Sequence, residues 1–400
     1  MTNPNGKIFF SYSHEQKDIA DTFVPALRDH GIPIWRDESG GVRLDHLERQ
    51  VRDTLRNPRT AGSILLVSED FAESEFIQGV ELPEIENRVT DDEEFFVAPV
   101  LCPDVEYDEA KDFLDHSPLS RLKGWYFERL EDTSYEATAA VAENILRQRL
   151  ETIDDNLPVG QPLSCCVNTY RSPPNKNNYD IALDWSHYFE DKLPSSEIWE
   201  ERLLPVSHSV VESISEYSPN RQLQFEGQAH LPATFLVGQN LIPPKGIKAS
   251  WKQETRPGEF ANWELGENQQ EDWVDIDIEH NSYSESHLAV LLNITQNTEI
   301  AIKNTSELPE FNTVLRFTPS QEDDLPLTQE QARYAAELFR TEIHNVVNTR
   351  SNIDTIHLFM AVPDGLAFLF GQQTNTLRPI QTYVYDEDNN QYQEAALISS

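Results

Sequence analysis

A buried strand that ends in polar side chains is the first chemically informative feature of the sequence. The apolar run Ile8-Phe9-Phe10 is followed at once by Ser11-Tyr12-Ser13-His14. Two further apolar segments end in a similar way, one at Trp35-Arg36-Asp37 and one at Ser68. Because an open parallel sheet binds ligands beyond the carboxyl ends of its strands, these tips predict a ligand site at one edge of a sheet.

One carboxylate stands out on the helical segment after the third of these strands. Glu81 lies four residues after Ile77 and four before Ile85, so a helix places all three on one partly apolar face. Pro83 cannot donate to the carbonyl of Gly79, which predicts that the helix kinks or restarts beside Glu81. The residue types alone leave two interpretations open: a solvated helix glutamate, or a carboxylate held at the ligand site.

Strand and helix patterns alternate between these tips, which predicts a doubly wound, flavodoxin-like parallel α/β sheet. Gly31 ends the first helix and is a residue typical of helix ends. The predicted strands lie near 7–11, 32–35, 63–67, 95–101 and 124–127, and the predicted helices at 16–30, 44–55 and 135–150.

Charge and composition limit the classes of function. The 400 residues include 69 acidic and 31 basic side chains, a net charge of -38, which disfavours binding to duplex nucleic acid and to anionic membranes. The acidic residues are spread along the chain, which is typical of a halophile. With no apolar run of about 18 residues and no signal-like start, we expect a cytoplasmic protein. Cys102, Cys165 and Cys166 lack zinc-ligand spacing and are expected to be small buried residues.

The C-terminal 240 residues contain an internal repeat. Phe235-Leu236-Val237-Gly238-Gln239-Asn240 matches Phe368-Leu369-Phe370-Gly371-Gln372-Gln373. Around each copy the patterns predict the same order of elements, β-α-β-α-β. We therefore predict two Rossmann-like halves in tandem.

The N-terminal motifs resemble those of bacterial TIR domains over residues 6 to 148. The resemblance rests on Ile8 to His14, Trp35-Arg36-Asp37, Leu66 to Phe71, Phe76-Ile77 and Glu81-Leu82-Pro83. Many bacterial TIR domains cleave NAD between nicotinamide and ribose, and the resemblance implies that Glu81 is the catalytic glutamate. The usual Trp-x-x-x-Glu spacing is absent, since the aromatic residue here is Phe76, five residues before Glu81.

The resemblance also implies which residues wall the NAD pocket. One carboxylate suffices for this chemistry, because nicotinamide leaves as a neutral base and the ribosyl cation is the species to be stabilised. Neither a metal nor a cofactor is expected. The candidate substrate-binding residues are Phe10, Ser11, Tyr12, Ser13, Trp35, Arg36, Asp37, Ser68 and Phe76.

The C-terminal repeat resembles a SAVED domain, a fold of two fused CARF-like units that senses cyclic oligonucleotides in the antiphage systems called CBASS. The resemblance spans residues 165 to 398, and its most specific part is His357 to Pro363. The predicted domains are a TIR domain at 1–150, a linker at 151–164 and a SAVED domain at 165–400.

A polyanionic activator requires a local positive patch in this acidic chain. Residues 241 to 256 supply Lys245 and Lys248, with Trp251 among them as a ring on which a base can stack. The alternative is an ordinary strand with a basic solvent face. The further candidate activator-binding residues, at converging strand tips, are Trp185, His230, Thr295, Gln296 and Pro363.

The combined expectation is an NAD glycohydrolase activated by a cyclic oligonucleotide, with three nucleotides as the expected ring size. Activation is expected to drive self-association into oligomers or filaments. Two alternatives stay open: a TIR scaffold without catalysis, and a TIR enzyme that releases a cyclised ADP-ribose. The polar tip at Ser11 to Ser13 favours an enzyme, because a scaffold does not need it.

Overall fold

The chain divides into two compact units in a computed structural model that describes residues 3–37, 44–122, 125–170, 179–267, 273–320 and 326–399. The first unit holds residues 1–166, 175–184 and 212–219. The second unit holds residues 167–174, 185–211 and 220–400.

The first unit is built on a parallel sheet. Its strands are β1 Lys7–Ser11, β2 Ile34–Trp35, β3 Thr60–Val67, β4 Phe96–Leu101 and β5 Glu128–Arg129. Its helices are α1 Lys17–Asp29, α2 Leu44–Arg56, α3 Glu69–Glu73, α4 Leu82–Asp91, α5 Tyr107–Asp115 and α6 Tyr135–Asn156. The strand order is β2-β1-β3-β4-β5 with every pair parallel, which confirms the flavodoxin-like sheet. All of β3 is buried, as expected of a central strand.

The prediction for the fifth strand was wrong in position. The sequence predicts it at 124–127, whereas β5 is Glu128–Arg129. The aromatic side chains that suggested a strand pack against other rings. Phe127 meets Tyr107 edge to face at 5.0 Å, and Trp125 lies 6.4 Å from Phe127.

Helix α6 continues beyond its predicted end at Leu150. Ile153 is as completely buried as Ile145 and Leu150, so the apolar face extends by a further turn. Residues up to Asn156 are therefore helical, although the sequence places them in a linker. The next strand, β6, is Leu163–Asn168.

The remaining strands are β7 Ile181–Asp184, β8 Leu223–Gln228, β9 Ala249–Arg256, β10 Glu259–Glu264, β11 Val274–His280, β12 His287–Asn293, β13 Thr313–Pro319, β14 Thr355–Ala361, β15 Ile380–Asp386 and β16 Gln391–Ile398. The remaining helices are α7 Ser196–Ile198, α8 Leu204–Tyr217, α9 Leu231–Asn240, α10 Glu299–Asn304, α11 Gln329–Thr349 and α12 Asp364–Gln372. In the second unit, β8 pairs parallel to β9, which pairs antiparallel to β10. A six-stranded sheet has the order β11-β13-β12-β14-β15-β16, with antiparallel pairs only at its two edges.

The predicted duplication is confirmed in the order of elements. Strand, helix, strand, helix, strand occurs as β7-α8-β8-α9-β9, with the short α7 before α8, and again as β12-α11-β14-α12-β15, with α10 and β13 inserted after β12. The repeated sequence motifs form α9 and α12, which pack on each other. A Cβ built on Gly238 would lie 2.2 Å from the carbonyl oxygen of Phe368, and one on Gly371 would lie 2.2 Å from that of Phe235. Matching glycines of the two copies therefore let the two helix backbones touch.

We expect Gly238→Ala and Gly371→Ala each to destabilise the second unit by about 1–3 kcal/mol, because the facing carbonyl belongs to a backbone that cannot turn aside. Gly79→Ala is the control, since a Cβ there meets nothing within 4 Å. Thermal unfolding followed by calorimetry should show a lower midpoint for the first two variants and little change for the third. Unchanged midpoints for both helix variants would contradict the close crossing.

The three cysteines are buried and free, as predicted. Within the described residues, no helix combines the length and the hydropathy that crossing a membrane requires.

Candidate functional site

Glu81 lies at the end of a π-helical turn, Ile77–Glu81, that leads directly into α4. Pro83 stands in the first turn of α4, where its missing N–H is not required, so the predicted restart beside Glu81 is confirmed. The buried residues of the π turn are Ile77 and Glu81. Single π turns often occur at functional sites because they change which side chains face inward. Here the turn directs a carboxylate into the protein.

The Glu81 carboxyl is held by one hydroxyl. Ser11, at the end of β1, donates its side-chain O–H to Glu81 Oε2. Glu81 is 8% exposed and Ser11 is 1% exposed. Burial raises the pKa of Glu81 to about 7, the Ser11 hydrogen bond opposes that rise, and the negative charge of Asp37 adds to it. Glu81 therefore titrates near neutrality, which is typical of functional carboxylates.

The segments after β1 and β2 supply the polar side chains around this carboxyl. Tyr12 donates its hydroxyl to the carbonyl oxygen of Asp37 at 3.5 Å. The Arg36 guanidinium lies 5.8 Å from the centre of the Tyr12 ring and pairs with Asp21. Burial raises the pKa of Tyr12, and the positive charge of Arg36 opposes that rise. Three of the predicted residues thus interact with Glu81, namely Ser11, Tyr12 and Asp37, and Arg36 lies against Tyr12.

Other predicted substrate-binding residues have structural contacts. Phe10 is 2% exposed and packs edge to face on Phe23, with 5.7 Å between ring centres. Ser68 caps α3 by accepting the N–H of Phe71 at 3.0 Å.

The last three predicted residues of this pocket differ in their exposure. Trp35 is partly exposed and stacks on Phe9 at 5.1 Å. Ser13 is buried and Phe76 half-buried at the start of the π turn. The predicted loop 36–41 lies outside the described residues from position 38 onward.

The second unit contains a cavity of about 1200 Å³, above the roughly 300–1,000 Å³ usual for small-ligand sites. It lies at the carboxyl ends of β8 and β14 and at the N-termini of α9 and α12. The predicted residues His230, Thr295 and Gln296 line it together.

A stack of three rings forms part of the cavity wall. His230 lies parallel to Tyr170 at 4.7 Å and to Phe189 at 4.5 Å. The His230 backbone N–H donates to Thr169 Oγ1 at 2.8 Å, and its ring Nδ1 lies 2.7 Å from the same oxygen. Burial lowers the pKa of His230 to about 4, so the ring is neutral at pH 7. Tyr170 is 44% exposed and offers an aromatic surface to a base.

Tyr170 and Phe189 are absent from the residues predicted to bind the activator. Tyr170 follows β6, a strand that the sequence interpretation did not include. Phe189 directly follows Tyr188, and this aromatic pair shortly after β7 was the available signal in the sequence.

The remaining predicted activator-binding residues do not line this cavity. Lys245 and Lys248 are exposed on the segment before β9, and Lys252 pairs with Glu226 at 3.0 Å. Trp251 is 2% exposed and packs on Phe368, 5.5 Å between ring centres.

Trp185 is fully buried, and Pro363 borders a smaller cavity of about 360 Å³. Lys245 and Lys248 are exposed and lie outside the large cavity. Their position agrees with the alternative interpretation of residues 241–256, an ordinary strand with a basic solvent face.

The described lining of the large cavity is acidic. Lys192 is its lysine, and no arginine accompanies it among the described residues that line the cavity. The carboxylates of the lining are Glu190, Asp191, Asp364, Asp386, Glu387 and Asp388. Burial raises the pKa of Asp364 to about 7, and the nearby Thr234 hydroxyl opposes that rise. Positive potential at the cavity is supplied by the N-terminal ends of α9 and α12.

The fold and these two sites define a two-domain α/β protein in which a flavodoxin-like sheet carries a buried carboxylate and a duplicated α/β unit carries a large cavity. The first part is a TIR domain, matched by the TIR family model over residues 8–140. The second is a SAVED domain, described as the SMODS-associated and fused to various effectors sensor domain, matched over residues 207–398. No curated protein sequence matches the chain.

Solved structures that share the fold include two of the Cap4 SAVED/CARF-domain containing receptor of Acinetobacter baumannii. One is with the cyclic trinucleotide 3′3′3′-cAAA and one with 2′3′3′-cAAA. Their identities to this chain are 13% and 12%, and the TM-score is 0.52 for each. Each match covers 90% of this chain and 86% of the receptor chain.

Proposed function

We propose that this chain is a cyclic-oligonucleotide-activated NAD glycohydrolase of CBASS antiphage defence. The observation that carries the proposal is Glu81, a buried carboxyl that accepts a hydrogen bond from Ser11 at the carboxyl end of β1. The site adjoins the point between β1 and β3 where the strand order reverses, the usual ligand position in such sheets.

Cleavage of NAD at this site requires stabilisation of a ribosyl cation. As the bond to nicotinamide breaks, positive charge develops on the ribose ring, as in other glycosyl transfers. A carboxylate in a site of low polarity stabilises that charge more strongly than water does. Water then adds to the cation and releases a proton, which gives ADP-ribose. The ionised form of Glu81 is the active one, so the rate should rise with pH through about 7.

The activator assigned to the SAVED cavity is a cyclic oligonucleotide, with a trinucleotide as the first candidate. Two features support this: the Cap4 receptors of the same fold are described with cyclic trinucleotides, and the cavity has the size and the exposed Tyr170 ring for such a ligand. Self-association on activation is part of the proposal. It gives the TIR domain a simple way to remain silent without activator.

The proposal is tested by incubating the full chain with NAD and a panel of cyclic di-, tri- and tetranucleotides, followed by chromatography of the products. We expect nicotinamide and linear ADP-ribose with one class of activator. A cyclised ADP-ribose would replace the hydrolase with a signal-producing enzyme. Intact NAD with every activator, while one of them binds, would favour a scaffold.

The acidic cavity predicts an unusual dependence on salt. Phosphate-binding proteins usually lose affinity as salt rises, but here the carboxylates of the lining repel the activator, and added ions screen that repulsion. We expect the affinity, measured by calorimetry, to increase several-fold between 0.1 and 1 M KCl. Lys245→Glu combined with Lys248→Glu should leave it unchanged. A loss of affinity with salt would show that cationic contacts dominate binding.

A further inference from the structure

The two oxygens of the Glu81 carboxyl have different surroundings. Oε2 accepts the Ser11 hydroxyl. Oε1 accepts no hydrogen bond from a described residue, and it is not fully enclosed by the protein. One oxygen is therefore held by the protein, and the other is open to a bound molecule.

The Ser11 hydroxyl is committed to this contact. A serine has a single O–H to donate, and here it is directed to Oε2. The residue is 1% exposed, so a bound molecule does not contact its hydroxyl in this arrangement. Backbone pairing of β1 with β3 fixes its place, since Ser11 is in register with Leu65 in the middle of the sheet. The donor is thus held rigidly by the sheet.

We propose that Ser11 is a positioning residue for Glu81, which fixes Oε2 and leaves Oε1 as the oxygen that meets the substrate ribose. This inference rests on the proposed function. It assigns to Ser11 a role different from the substrate contact implied by the family resemblance. The carboxylate is then ready to face the developing cation without reorienting during the reaction.

Ser11 also favours the ionised carboxylate, because a hydroxyl donor stabilises the negative form. The other titratable groups that interact with Glu81 are Asp37 after β2 and Tyr12 after β1, and Arg36 acts on Tyr12. On α4, Glu84 is neutralised by Arg52 and Arg56 of α2. Without Ser11, burial and the charge of Asp37 remain and both oppose ionisation.

The test compares Ser11→Ala with Ser63→Ala in activator-stimulated NAD cleavage between pH 5.5 and 9. Ser63 is buried on the neighbouring strand β3, and its hydroxyl has no hydrogen-bond partner among the described residues. We expect Ser11→Ala to shift the midpoint of the kcat profile to higher pH by about one unit, equivalent to tenfold less ionised Glu81 at low pH. The rate should recover substantially at pH 9. Ser63→Ala should keep the midpoint of the parent, and Ser11→Thr, which retains the hydroxyl, should restore it.

A uniform loss of rate with an unchanged midpoint in Ser11→Ala would overturn the proposal. If the parent cleaves no NAD, the proposed function fails, and the contact is then tested by unfolding alone. In a double-mutant cycle with Glu81→Gln, the effects of Ser11→Ala and Glu81→Gln on the unfolding midpoint should be non-additive, more so at pH 8 than at pH 5. Additive effects at both pH values would also overturn it.

Discussion

Glu81→Gln is expected to lower the rate of NAD cleavage at least about 10²-fold, because it removes the negative charge that stabilises the ribosyl cation. The amide oxygen of glutamine still accepts the Ser11 hydroxyl, so the local packing is kept. Nicotinamide release at saturating activator measures the effect, and calorimetry should show unchanged binding of the activator.

Glu86→Gln is a matched control for that experiment. Glu86 lies on α4, is half-buried and pairs with Arg121 at 3.4 Å. Glu86→Gln removes this ion pair, and it should leave the cleavage rate within about threefold of the parent, since the pair is near the surface. Comparable rates for Glu81→Gln and the parent would remove Glu81 from the mechanism.

Glu81→Gln is also expected to stabilise the protein at alkaline pH. The folded-state pKa of Glu81 is about 7 against an ordinary value of 4.5, so the folded protein binds a proton that the unfolded chain releases. Stability therefore falls as pH rises from 4.5 to 7, by about 3 kcal/mol in total. Glu81→Gln has no such proton to lose, so its advantage over the parent should be absent near pH 4.5 and largest at pH 8.

Glu84→Gln should behave in the opposite way. Its carboxyl accepts hydrogen bonds from Arg56 and Arg52, and these hold the pKa of Glu84 below its ordinary value despite burial. The stability that Glu84 contributes is present at neutral pH and is lost as pH falls, so its substitution should destabilise the protein most at pH 7 and above. Calorimetric unfolding from pH 4.5 to 8 distinguishes the two variants. Parallel pH curves for Glu81→Gln and the parent would contradict the buried, weakly acidic state of Glu81.

Local patterns in the sequence were sufficient for the sheet and for the restart at Glu81. The β-α alternation predicts a doubly wound parallel sheet, and Pro83 predicts the break because proline lacks the N–H that a continuous helix needs. The repeat around Gly238 and Gly371 predicts the duplicated order of elements in the C-terminal 240 residues. These predictions succeed because each depends on residues close together in the chain.

Predictions that depend on distant contacts were less successful. The lysines before β9 form a basic segment in sequence. Whether their side chains face the cavity or the solvent depends on distant neighbours that the local pattern does not specify. The aromatic segment at 125–127 satisfies a strand pattern, yet Phe127 packs on Tyr107 outside the sheet. Tyr170 stacks on His230, sixty residues away, which no local spacing indicates.

The central claim is that the TIR domain cleaves NAD only when the SAVED domain holds its activator. The most direct measurement is the rate of nicotinamide release from NAD by the full chain, with and without a saturating cyclic trinucleotide, at pH 8, where Glu81 is ionised. The account predicts rapid release with the activator and none above background without it. Equal rates in the two samples would contradict it.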